Sequence, residues 1–352
     1  MDSLSQIVLG GAVAAAIAPA GHRRAALLAG AALGTLPDLD SLLLLALGDD
    51  PVTLMTMHRS FSHSLFVLPL LGSMIWWLYR RFGHGRVAQA PSRWWWAIVL
   101  ALVTHPLLDA FTVYGTQVWW PLPVPPVVWG GVFIIDPLYT VWLLAGCAVA
   151  WCAPARPLAQ RALQAGLLLS CAYLGWSLLA KAVVEQRARA DLAAAGIGDA
   201  RLLAAAQPFT TLLWRVVAVD DAGYLVGERS LVADRGPMQF RRHPSDTAAL
   251  AANAQLPAVQ RLAWFNGGLM RARVVDDRLV LSDLRMGLEP DYTFNFAVAR
   301  LQDGQWQPIA PEQIRPDLRS AQARAEVRQR LGALWRRIWT PAPQLPAPVV
   351  AQ

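Results

Sequence analysis

Four apolar runs, residues 61–79, 94–112, 132–152 and 162–180, constrain this chain more than any other feature. Each is about as long as the roughly 20 residues a helix needs to cross the hydrocarbon of a bilayer. Two earlier segments, 4–19 and 24–47, are apolar but less regular. The second is interrupted by TLPDLDS, where Pro37 is expected to break or kink a helix. The sequence therefore predicts about six membrane helices. Composition agrees: 55% of the residues are hydrophobic, only 16% are charged, and the mean hydropathy is +0.35, too apolar for an ordinary soluble domain. Tryptophans crowd the ends of the apolar runs (Trp76, Trp77, Trp94, Trp95, Trp96, Trp119, Trp120, Trp129), as in interfacial belts where the indole sits at headgroup level.

After Lys181 the pattern changes. KAVVEQRARADLAAAGI reads as an amphipathic connecting helix over 181–204. From 205 to 315 the alternation is strand-like: FTTLLWRVVAVDDAGYLVGERSLV places two apolar runs about a DAG turn, and ARVVDDRLVLSDLRM and YTFNFAVARLQDGQWQPI continue it. Residues 316–352 read as a basic helical segment with a Pro-rich, disordered end. The expected fold is a membrane α-helical bundle of about six helices over 1–180, followed by a small, mostly β extramembrane domain. Cys147, Cys152 and Cys171 lie in or at the ends of apolar runs without metal-ligand or disulfide spacing, so they read as small buried hydrophobes. The opening MDSLSQIVLGG carries an aspartate where a signal peptide needs basic residues. The net charge of +7 comes from scattered arginines with no aromatic-interleaved stripe, which argues against direct nucleic-acid binding.

The basic residues also give an orientation. Arg23 and Arg24, then Arg80, Arg81, Arg86 and Arg93, then Arg156 and Arg161 fall in alternate connections, which the positive-inside rule assigns to the cytoplasm. The other connections and the β domain are then expected in the periplasm of a bacterial inner membrane. On that periplasmic face the topology gathers Asp38, Asp40, His58, His63, His105, Asp109 and Asp136, with Arg59 beside them, while His22 and His84 lie on the opposite face.

Ionisable groups in membrane helices are costly unless paired or solvated. Seven on one face suggest a shared cation. His105 and Asp109, four apart, share a helix face one turn apart, as two ligands of one ion require. Mixed imidazole and carboxylate donors suit zinc, manganese or iron, as one ion or two. Arg59 is then a clamp for an anionic group and Asp136 a general base. Each residue also has a structural alternative. His105–Asp109 is a plausible helix hydrogen bond, Asp136 before Pro137 a helix N-cap, and Asp38 or Asp40 a cap after the break; Ser60, Ser62 and Ser64 suit local capping.

In order along the chain, MDSLSQ, LPDLD, HRSFSHS, HPLLDAFTVYGTQ and FIIDPLY resemble the YdjM-like family of membrane-bound metal-dependent hydrolases, closely over about residues 1–145. LLWRVV, WFNGG and SDLRMG resemble the C-terminal part of its longer members. The resemblance implies a distant likeness to zinc-dependent phospholipase C folds, binding of the LexA repressor in some members, and Asp38, Asp40, His58, His63, His105 and Asp109 as metal ligands, with a weaker case for Asp136. Many relatives carry histidine where this chain has Gln6, so a site using that position would be one ligand short or organised differently.

The expected function is an inner-membrane, metal-dependent hydrolase acting on a phosphoester or lipid-linked substrate at the outer face, in contact with the lipid bilayer. The alternative is a scaffold or regulator that binds a protein partner of unknown identity through its β domain and uses the polar cluster as a structural metal site.

Overall fold

The computed structural model describes residues 1–83, 85–315 and 321–342; His84 and the Pro-rich end lie outside that range. The chain divides into two units, Met1–Asp49 with Thr53–Ser177, and Asp50–Val52 with the residues from Leu178 onward. The first is helical: α1 (Ser3–Ile17), α2 (Arg23–Thr35), α3 (Asp40–Leu47), α4 (Pro51–Met57), α5 (Val67–Phe82), the short α6 (Arg86–Gln89), α7 (Pro91–Ala110), α8 (Pro137–Cys152) and the start of α9 (Pro157–Ala194).

The described helices do not support six crossings. Among the described residues, two helices are long and apolar enough to span, Ala20–Leu47 and Pro157–Ala194. The pair Pro51–His63 and Val67–Phe82, bent by 54°, makes a third if it counts as one span. Helices α1 and α8 have 15 and 16 residues, about 23 Å of helix against about 30 Å of hydrocarbon. Helix α7 is long enough, but Ser92, Arg93, three tryptophans, Thr104, His105 and Asp109 dilute its apolar character. Pro37 does not break the second span. It sits in the first turn of a 3-10 segment, Leu36–Leu39, where its missing N–H costs nothing, and α3 follows directly. The apolar side chains of the spans point outward: Leu42, Leu45, Leu70, Leu168 and Leu179 are all exposed, as lipid-facing residues are. Cys152 and Cys171 share that outward position, contrary to the expectation of burial, and Cys147 is half-buried.

The core of this unit is α1, which packs against α2, α7 and α8. Its contact with α2 is made by backbone. A Cβ placed on Gly30 would lie 2.2 Å from the Gly10 carbonyl oxygen, and one on Gly34 would lie 2.4 Å from that of Gln6. Small residues permit this approach between membrane helices.

The second unit begins on the continuing α9, so the expected separate connector is the end of that helix, and β1 starts within the range assigned to it. Strands β1 (Arg201–Ala206), β2 (Leu213–Asp220), β3 (Gly223–Ser230) and β4 (Phe240–His243) form one antiparallel sheet in sequence order. Helices α10 (Thr247–Ala252) and α11 (Pro257–Asn266) follow, neither foreseen in the sequence. Strands β5 (Met270–Val275), β6 (Arg278–Asp283), β9 (Asn295–Gln302) and β10 (Gln305–Gln313) form a second sheet in the order β10-β9-β6-β5, with β7 (Gly287–Leu288) and β8 (Asp291–Tyr292) as a separate ribbon. Alternate residues of β2 go to opposite sides. Trp214 and Val216 pack with Val184 and Ala188 of α9, while Val217 packs with Tyr224, Leu284 and Tyr292. Both faces are covered, which is why β2 reads as an apolar run over residues 213–219 broken only by the buried Arg215.

Helix α12 (Ala321–Trp339) is fastened by Asp234, whose carboxylate accepts from Arg337 Nη2 at 2.5 Å, Ser230 N at 2.7 Å and Ala342 N at 3.0 Å. Burial works against its charge. The hydrogen bonds outweigh that and hold the carboxyl below its ordinary range.

Candidate metal centre

Four side chains from three stretches of the helical unit converge. Asp38 comes from the 3-10 segment after α2, His63 from the 3-10 turn Phe61–His63, and His105 and Asp109 from one face of α7. Their ligand atoms all lie within 4.8 Å of one another. His63 Nε2 is 3.1 Å from His105 Nε2, 3.5 Å from Asp38 Oδ1 and 3.3 Å from Asp109 Oδ2. His105 Nε2 is 3.3 Å from Asp38 Oδ1 and 3.5 Å from Asp109 Oδ2. A tetrahedral ion with bonds of about 2.0–2.1 Å needs donor–donor edges of about 3.3 Å. The five separations bracket that value.

The tautomers are fixed from behind. His105 Nδ1–H donates to the Gly34 carbonyl at 2.6 Å. Ser62 Oγ donates to Asp40 Oδ2 at 2.5 Å, and its lone pair is left to accept from His63 Nδ1–H at 2.9 Å. With both Nδ1 atoms donating, both Nε2 atoms turn lone pairs toward each other. Asp109 Oδ2, fully buried, faces the same point with no hydrogen bond. One proton would relieve the imidazole pair and still leave Asp109 Oδ2 without a hydrogen bond. A divalent cation satisfies all four atoms, so the donor set fits a metal ion.

The other expected residues are placed differently. Asp40 and His58 are not in the four-atom group: Asp40 Oδ1 holds His58 Nδ1 at 2.8 Å, and its Oδ2 accepts from Arg59 N at 3.1 Å as well as from Ser62. The His58 ring stands edge-on to His63 at 5.9 Å between centroids, and its side chain is 23% exposed where those of His63, His105 and Asp109 are at 0%. Arg59 turns inward. Its Nε lies 3.0 Å from Asp109 Oδ2 without hydrogen-bond alignment, Nη1 donates to Thr112 Oγ1 at 3.2 Å, and the guanidinium covers the Tyr114 ring at 4.8 Å. Asp136 touches none of the four. It caps α8, with Oδ1 accepting from Leu138 N and Tyr139 N and Oδ2 from Tyr173 Oη.

Several contributors lie outside the ligand set expected from the sequence. Gln6 donates to Asp109 Oδ1 at 2.9 Å and to the His105 carbonyl at 3.2 Å, so it braces the ligands without joining them. The Met1 amino group also bonds Asp109 Oδ1. Tyr114 Oη and Gln117 Nε2 donate to the carbonyls of Met55 and Thr56, so the YGTQ turn latches the end of α4 that leads to His58. Ser64 accepts from Phe66 N and Val67 N at the start of α5, a local cap as expected. His22 pairs with Gln89 and Trp94, away from the cluster.

This is a membrane-associated helical protein followed by a β-sheet domain, with a buried His/Asp group able to bind a metal ion. Residues 1–184, more than half of the 352, match the model of the YdjM inner membrane protein family, and the chain belongs to that family. No curated protein and no solved structure matches it.

Proposed function

We propose that this chain is a multi-pass inner-membrane hydrolase whose single divalent ion, zinc by its donor set, is held by Asp38, His63, His105 and Asp109. The observation that carries the reading is the convergence of two imidazole lone pairs and an unbonded buried carboxylate oxygen on one point. A bound ion would supply Lewis acidity and a water of lowered pKa. Asp38, at 30% side-chain exposure, is the ligand on the accessible side. His58, with Nδ1 held by Asp40 and its ring beside His63, is placed to take or pass a proton at Nε2. Asp136 is engaged as a cap and is the weaker candidate for that role. Arg59 serves as charge partner to Asp109 rather than as an open clamp. The positions of the arginines support a periplasmic site and β domain, and a site in membrane helices favours a phosphoester or lipid-linked substrate.

One observation favours a second reading. Four protein donors fill a tetrahedron, and catalytic zinc sites keep a position open. If Asp38 does not yield, the ion is structural and the protein a membrane regulator. Metal analysis of detergent-purified protein tests the first step: one equivalent in the wild type and in His22→Ala, and none in His63→Ala. Absence of metal from the reconstituted wild type overturns both readings. Cobalt-substituted protein separates them, because inorganic phosphate changes the visible spectrum of an open site and leaves a closed one unaltered.

A further inference from the structure

Helix α12 is held to the β unit by one side only. Ile338 is buried and its carbonyl accepts from Ser230 Oγ at 2.6 Å, Arg337 pairs with Asp234, and Arg330 pairs with Asp291. Another face carries Val327, Leu331, Trp335 and Trp339, four residues apart in succession and therefore one stripe along the helix. All four are exposed, Trp335 at 61% and Trp339 at 54%, with their rings edge-on at 6.1 Å between centroids. Arg328 and Arg336 border the stripe, are exposed, and make no ion pair among the described residues.

We infer that this face of α12 seats on the surface of a bilayer rich in anionic lipid, a membrane contact separate from the spanning helices. Indole rings prefer the headgroup level, and leucine and valine reach just below it. The two unpaired arginines meet lipid phosphates there. A second copy of the chain is the poorer occupant, because a two-fold contact through this stripe would bring Arg328 and Arg336 against their own counterparts. The spanning helices keep the chain at a lipid surface, so the occupant is always at hand.

The test uses the full chain in nanodiscs, with Cys147, Cys152 and Cys171 replaced by alanine and a fluorophore on Leu331→Cys. Spin-labelled lipid is expected to quench it strongly in discs containing phosphatidylglycerol and weakly in phosphatidylcholine alone. Each basic side chain near an anionic surface contributes enough that Arg328→Gln with Arg336→Gln lowers the seated-to-free ratio about thirty-fold. Trp335→Ser with Trp339→Ser abolishes quenching by a second route. Two results overturn the inference: no lipid quenching in anionic discs, or protection from aqueous iodide that tracks protein concentration rather than lipid charge, which would identify a second copy. Metal content is unchanged in all these variants, so the outcome stands apart from that of the metal site.

Discussion

At the scale of single residues, the cluster is organised by what stands behind its ligands. Ser62 stands outside the four-residue group. It relays the Asp40 carboxylate to His63 Nδ1 and so turns Nε2 toward the other donors. Loss of such an outer partner typically costs 10–100-fold in metal affinity. Ser62→Ala is therefore expected to weaken binding by about that factor in a chelator competition, with Ser62→Thr restoring most of it; wild-type affinity in the alanine variant would remove the relay from the account. The ligand types, and the four-residue spacing of His105 and Asp109, could be read from the sequence because a helix fixes which side chains meet. The separate duties of Asp38 and Asp40 could not. Two carboxylates flanking Leu39 look equivalent until the Phe61–His63 turn brings Ser62 to one of them. Arg59 was equally hidden. Its backbone sits at φ 65°, a left-handed conformation unusual for arginine. The bond from its N–H to Asp40 and the approach of its guanidinium to Asp109 offset a strain of order 1–3 kcal/mol.

At the scale of elements, the α1–α2 crossing aims the site. Gly34 contributes the carbonyl that fixes His105, and Gln6, on the facing turn of α1, braces Asp109. Their mutual distance is set by glycine backbones in direct contact. Gly30→Ala forces these helices apart, since even a methyl group would overlap the Gly10 carbonyl. We expect a loss of about 1–3 kcal/mol of stability, together with weakened metal binding although no ligand is touched. Gly21→Ala, which meets open space, serves as the control. Thermal unfolding in detergent and metal titration read the two effects, and equal behaviour of both variants would disconnect the crossing from the site. The same elements show how far the pattern of apolar residues reaches. It located α5, α7, α9 and the hairpins β2–β3, β5–β6 and β9–β10, because hydrophobic period and turn residues are local properties. It overcounted the spans because crossing depends on unbroken helix length. Residues 132–136 are not helical, which leaves α8 short, and in the run 61–79 the helix begins only at Val67, after the turn that carries His63.

At the scale of the whole chain, the polar residues of the helical unit separate into two groups of different character. Arg23 donates to the carbonyls of Pro154 and Arg156 and to Gln160, Arg24 donates to the Trp151 carbonyl, and Arg93 to the Ile17 carbonyl. These arginines cap the C-terminal ends of α1 and α8, where free carbonyls and the helix dipole favour cations. The His/Asp group draws instead on the last turn of α7 and the turn before α5. Arginine is retained preferentially on the cytoplasmic side, so with the bent pair counted as a third span the arginine group is expected on that side. The expectation is checked by labelling with a membrane-impermeant maleimide, in a background lacking the three native cysteines. Asp221→Cys, in the β2–β3 turn, should react in spheroplasts, while Arg86→Cys, between α5 and α7, should react only after lysis. The reverse pattern would invert the orientation and put the candidate site on the cytoplasmic side. Labelling of both positions would mean that an even number of crossings lies between them, so that α9 would not be the single crossing after Arg86.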